Sequence, residues 1–166
     1  VTIYGVGLLG GSLGRALKVS GFTGTICGIS SPASLESARR LGCMDEGVSY
    51  DDAAEAIRRS DILFLCTPIG VIMDTINKLA SMDLPQGLVV TDVGSTKVEI
   101  MRTAQEALPP GVRFIGGHPM AGSEKRGAAH ADPYLFQNAI YVLTPGPDDA
   151  AAATRLALFV ESYLGC

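Results

Sequence analysis

Charge is scarce in this chain, and no pair of cysteines has the spacing of a metal site. Only 18% of its 166 residues are charged, the formal net charge is −4, and the basic residues are scattered along the length. Phosphate backbones are bound through a concentrated basic face, so a nucleic-acid partner is not expected. Cys27, Cys43, Cys66 and Cys166 stand far apart with no C-x-x-C pair. That spacing suits neither a zinc site nor a dense disulfide framework, and reduced thiols in the cytoplasm are the simplest reading. No apolar run has the length of a membrane span, so no membrane partner is expected either. The chain also lacks a signal-like leader and an initiating methionine. The opening "VTIYG" reads as if already inside a strand, and the chain is expected to be a fragment or trimmed to its ordered part.

What it does have is apolar material, 47% of the residues, in a length that suits one domain and hardly two. Residues 1–166 are therefore expected to form one domain. Short β-rich runs alternate with helical patterns throughout. Strands are expected at 1–5, 25–29, 62–66, 88–93, 113–117 and 139–144, and most are continuous apolar runs, as strands buried on both faces should be. Helices are expected over about 9–19, 32–41, 51–59, 69–81, 96–107 and 148–163, with Pro32 in a first turn and Asp148 as a cap. This alternation predicts an α/β fold of the Rossmann type, a doubly wound and mostly parallel sheet flanked by helices.

The first chemical motif is "GVGLLGGSLGRAL", where Gly5, Gly7 and Gly10 form G-x-G-x-x-G between a strand and a helix. In that setting Gly5 makes the tight turn, Gly7 admits a pyrophosphate to the backbone, and Gly10 lets helix and strand pack closely. Leu8 and Leu9 open the helix and offer free N–H groups at its positive end. A dinucleotide cofactor, NAD or NADP, is the expected ligand. After the second strand, where an acidic residue normally holds the NAD ribose, the chain has Ser30 and Ser31. Two hydroxyls and no carboxylate tilt the expectation slightly towards NADP. Ser31 also reads equally well as a plain cap for the helix beginning at Pro32. Thr67 and Pro68, in "CTPIG", follow a strand at the edge where open α/β sheets bind ligands, and are expected to border the nicotinamide-side ribose.

The segment "GGHPMAGSEKRG", 116–127, places His118, one of two histidines, between a Gly-Gly pair and a proline. Gly and Pro interrupt helix and strand alike, so a loop carrying chemistry is expected there. "VTDVGSTK" earlier ends another strand with Asp92, Gly94, Ser95 and Lys97. Asp92 and Gly94 are expected to lie beside the cofactor. Asp92 either accepts a hydrogen bond from a loop or ribose group or is an ordinary turn residue.

Together, these three strings resemble the dinucleotide-binding domain of prephenate and arogenate dehydrogenases, and the resemblance runs over essentially the whole chain. It implies an NAD(P)-dependent oxidoreductase of tyrosine biosynthesis that oxidatively decarboxylates prephenate or arogenate. By that resemblance His118 is the general base and Ser95 bonds the substrate hydroxyl, although Ser95 also reads as the cap of the helix near Thr96. Glu124 is implied to lie near the substrate mouth, while Lys125 and Arg126 read as an ordinary exposed charge run. His130, with no motif around it, reads as structural. The family carries a further, largely helical domain that dimerises and supplies an arginine for the substrate carboxylates, so a homodimer through that domain is implied for the full-length protein. Two other functions remain open at this stage: a related β-hydroxy acid or imine dehydrogenase, and a non-catalytic dinucleotide-binding module.

Overall fold

The computed structural model describes residues 1–166. Seven strands form one sheet: β1 Thr2–Tyr4, β2 Cys27–Ser30, β3 Glu46–Ser49, β4 Ile62–Leu65, β5 Val89–Asp92, β6 Arg113–Pro119 and β7 Tyr141–Pro145. Their spatial order is β3-β2-β1-β4-β5-β6-β7. All neighbours are parallel except β6 and β7, which run antiparallel. Six helices connect them: α1 Leu8–Val19, α2 Pro32–Arg40, α3 Ala53–Arg58, α4 Ile69–Leu79, α5 Val98–Ala107 and α6 Ala150–Leu164.

The continuous apolar strands are buried on both faces because successive side chains point to opposite sides of a pleated sheet. Ile3, Phe64, Val89 and Ile115 enter a core shared with α1, α2 and α6. Tyr4, Leu63, Leu65, Val90 and Phe114 enter the opposite core, shared with α3, α4 and α5. At roughly 1.5–3 kcal/mol for each large apolar side chain wholly removed from water, these two layers dominate the fold's stability. No helix is long and apolar enough to cross a membrane.

Three expectations need correction. β3, "EGVS", lies at the sheet edge and is only partly buried, so it carries none of the apolar signal that marks the other strands. The expected helix at 51–59 divides into a 3-10 turn at Tyr50–Asp52 followed by the short α3. The largest correction concerns the loop expected at "GGHP": beyond the strand expected to end at Gly117, His118 and Pro119 continue β6, in register with β7 from Ile115↔Pro145 to Pro119↔Tyr141. Proline is tolerated there for a geometric reason. Met120 N–H bonds Ile140 C=O, which puts Pro119 at a position whose nitrogen faces away from β7, and on that side the β5 pairing has ended at Ile115.

Candidate active site

β1 ends in a turn closed by Gly5, whose φ of +97° is in the region that favours glycine and whose N–H bonds Ile29 C=O at 2.8 Å. A Cβ on Gly10 would stand 2.2 Å from Gly5 O, so this glycine is what lets α1 press onto the strand end. A Cβ on Gly7 would meet nothing within 4 Å, which leaves the backbone there open to a ligand. Gly7 caps α1 without any side-chain bond, and no acidic residue stands in the first turn. The N–H groups of Leu8, Leu9 and Gly10 thus remain unpaired by the helix, at its positive end.

In front of this turn lies a cleft of about 550 Å³. It is lined by Leu8, Leu9, Thr67, Pro68 and Ser95, and by the loop bearing Ser123, Lys125 and Arg126. No carboxylate lines it. The Thr67 hydroxyl oxygen is buried without a hydrogen-bond partner; a buried polar atom in that condition is ordinarily satisfied by water or ligand. An open glycine backbone, free helix N–H groups and an orphaned hydroxyl fit a dinucleotide. Leu8, Leu9 and Gly10 would hold its phosphates, and Thr67 and Pro68 would border a ribose. No three His, Cys, Asp or Glu side chains converge as a metal site would need.

At the end of β2 the Ser31 hydroxyl accepts the N–H of Ser34 at 3.4 Å, which is the capping role. Ser30 is buried, and its register partner Ser49 leads into Tyr50, Asp51 and Asp52.

Ser95 and His118 are both carried where β5 and β6 part. Asp92 is wholly buried, and its oxygens are taken by the chain itself: Oδ2 accepts Gly94 N–H at 2.8 Å and pairs with Lys97, while Oδ1 accepts Gly117 N–H at 3.1 Å. Of the readings open for Asp92, the hydrogen bond from a loop is present, made by Gly94, alongside the bond from Gly117. Lys97 Nζ also donates to Gly117 C=O at 2.8 Å. Burial holds the Lys97 ammonium below its ordinary pKa, and the Asp92 carboxylate offsets this only in part. These contacts explain the Gly-Gly pair before His118. A Cβ on Gly116 would stand 3.1 Å from the Lys97 stem, and one on Gly117 would stand 2.5 Å from Asp92 O.

His118, half-buried on β6, lies on the same carboxyl edge as the glycine turn, beyond the residues that line the cleft. By the alternation of the strand it shares the sheet face of Phe114 and Gly116, towards α5. Ser95 is exposed at the cleft wall. It does not cap α5, which starts at Val98 after Lys97 with no side-chain cap, because the turn needed to bring Lys97 onto Asp92 delays the helix. Glu124 is exposed outside the cleft, and its neighbours Lys125 and Arg126 line it instead. Seven of the thirteen basic side chains pair with an acid, whereas Lys125 and Arg126 do not, a difference that the sequence does not display. His130 sits exposed in a short 3-10 turn. That segment is tied to α1, since Asp132 N–H bonds Ser12 Oγ at 2.9 Å and Arg15 donates to Ala131 C=O at 2.6 Å.

The family model for the nucleotide-binding domain of prephenate dehydrogenase matches residues 13–164. The chain belongs to the prephenate dehydrogenase family. The family's prephenate dehydrogenase from Bacillus subtilis (strain 168) is 37% identical over 147 residues, 88% of this chain and 39% of that protein. The prephenate dehydrogenase of Aquifex aeolicus, solved in complex with hydroxyphenyl propionate and NAD+, superposes with a TM-score of 0.87 at 32% identity, over 99% of this chain and 56% of that one. Synechocystis arogenate dehydrogenase superposes with a TM-score of 0.85 at 34% identity, over 99% and 56%. The chain thus spans about two-fifths to three-fifths of the length of these relatives.

Proposed function

We propose that this chain is the dinucleotide-binding part of a prephenate or arogenate dehydrogenase, acting in tyrosine biosynthesis with NAD or NADP. The observation that carries the reading is the meeting, on one sheet edge, of an open glycine turn with Ser95 and His118 at the ends of adjacent strands, in a member of this family. Bound NAD or NADP supplies the hydride acceptor. His118 takes the proton from the hydroxyl on the ring carbon that loses hydride, so that a carbonyl forms at that carbon; neutral imidazole suits this work near neutral pH. Departure of the ring carboxylate as carbon dioxide then leaves its electron pair in the ring, which becomes aromatic, with the oxygen re-protonated. Ser95 bonds the same hydroxyl and holds the donor carbon at reacting distance. Lys125 and Arg126 face the substrate's carboxylates across a cleft with no acid of its own.

In the full-length protein a further domain would complete the carboxylate clamp and form a homodimer. The 166-residue chain by itself is expected to bind dinucleotide yet reduce almost none of it when prephenate or arogenate is added, whereas the full-length protein turns over one of the two. Following reduced nicotinamide with each preparation tests this. Brisk turnover by the short chain would show that no further clamp is needed, and no turnover by the full-length protein with either acid would leave a binding module.

The finer choice of cofactor rests on the end of β2, where no carboxylate opposes a 2′-phosphate. NADP is expected to bind at least as tightly as NAD in side-by-side titrations of the chain. A clear preference for NAD, about tenfold or 1.4 kcal/mol, would overturn this and point to Asp51 and Asp52, at the end of the neighbouring strand, as the excluding charges.

A further inference from the structure

β5 leaves the sheet after Asp92, while β6 runs on to Pro119. Gly117 then has a backbone N–H and C=O facing the side from which a parallel strand has withdrawn. Two side chains stand in for that strand. Asp92 Oδ1 accepts the N–H at 3.1 Å, and Lys97 Nζ donates to the C=O at 2.8 Å. The same pair reaches the other catalytic segment, because Asp92 Oδ2 accepts the N–H of Gly94 at 2.8 Å while pairing with Lys97. Gly94 immediately precedes Ser95, and Gly117 immediately precedes His118.

We propose that Asp92 and Lys97 are positioning residues whose ion pair sets the separation of Ser95 and His118 without either residue touching substrate. This rests on the roles given above to Ser95 and His118. Asp92 is 0% and Lys97 16% exposed at the side chain. A buried pair of this kind adds little net stability over an apolar replacement, so its use here is better accounted for by the geometry it imposes. The hold is also steric, since the Lys97 stem crosses Gly116 and backbone of β5 abuts Gly117.

The test uses the full-length protein carrying Lys97→Met, and also the neutral pair Asp92→Asn with Lys97→Met, which leaves no unpaired buried charge. Because about 1 Å of misplacement costs as much as 10²-fold in rate, both proteins are expected to lose about 10- to 100-fold in kcat. The dinucleotide Kd, read on the same samples as evidence of folding, should stay within about threefold. The deciding measurement is a cycle with His118→Asn. If the pair acts through His118, adding the neutral pair to that variant should change the residual rate by less than about threefold, because residues acting as a unit are non-additive. A folded neutral-pair variant with near wild-type kcat, or a full additional loss in the His118→Asn background, would overturn the positioning role while leaving His118 as base. Should His118→Asn keep the wild-type rate, the reading of His118 falls first and the positioning role with it.

Discussion

His118→Asn in the full-length protein is expected to lower kcat by about 10³-fold, within the range that a positioned general base contributes, while dinucleotide affinity stays within about threefold. Asparagine keeps a polar side chain of similar reach that can still bond a hydroxyl. It cannot take the proton. The substitution should leave the strand intact, because His118 is only half-buried and the hydrogen bonds that fix this stretch are made by Gly117, Asp92 and Lys97. Steady-state turnover alongside a dinucleotide titration separates the two effects. Equal losses in both would show damage to the site as a whole, and an unchanged rate would remove His118 from the chemistry.

The second large effect is a contrast between two glycines of one motif. Gly10→Ala would drive a Cβ to 2.2 Å from Gly5 O and 2.9 Å from an Ile3 methyl, an overlap with backbone that only movement of α1 can relieve. A loss of about 3 kcal/mol or more is expected, at or beyond the upper end of the usual cost of overpacking. Gly7→Ala meets nothing within 4 Å and its φ of −96° is negative, so stability should fall far less than for Gly10→Ala. Its methyl would instead occupy the space where a pyrophosphate approaches, and dinucleotide affinity is expected to fall by at least about tenfold, or 1.4 kcal/mol. Chemical denaturation and ligand titration of both variants read the two outcomes independently. Equal behaviour of Gly7→Ala and Gly10→Ala in the two assays would refute this division of labour.

Much of this was legible in the residues because the signals were local. The apolar runs of β1, β4 and β5 mark strands buried on both faces, and Gly5, Gly7 and Gly10 fall between a strand and a helix where their separate steric roles can be read. β3 was not legible, since "EGVS" at the sheet edge has neither an apolar run nor alternation. Nor was the strand character of His118 and Pro119. Composition there argues for a loop, and only the withdrawal of β5 and the return of β7 make a proline acceptable. The same holds for Asp92. A carboxylate ending a strand looks available to a ribose, and its capture by Gly94, Gly117 and Lys97 depends on contacts up to 25 residues apart in sequence. Nor does a charge run reveal in sequence that Lys125 and Arg126, and not Glu124, line the cleft.

The proposed base stands on a two-stranded overhang, and an overhang of this kind is graded in length but two-valued in direction. At about 3.3 Å of rise per residue, each residue of β6 past Ile115 moves the imidazole outward by a near-constant step. A slip of one residue against β7 would also turn it to the other side of the sheet. Without a bulge to absorb it, a one-residue change of register therefore turns the imidazole off its present face, whereas a two-residue change keeps the face and alters the reach by about 7 Å.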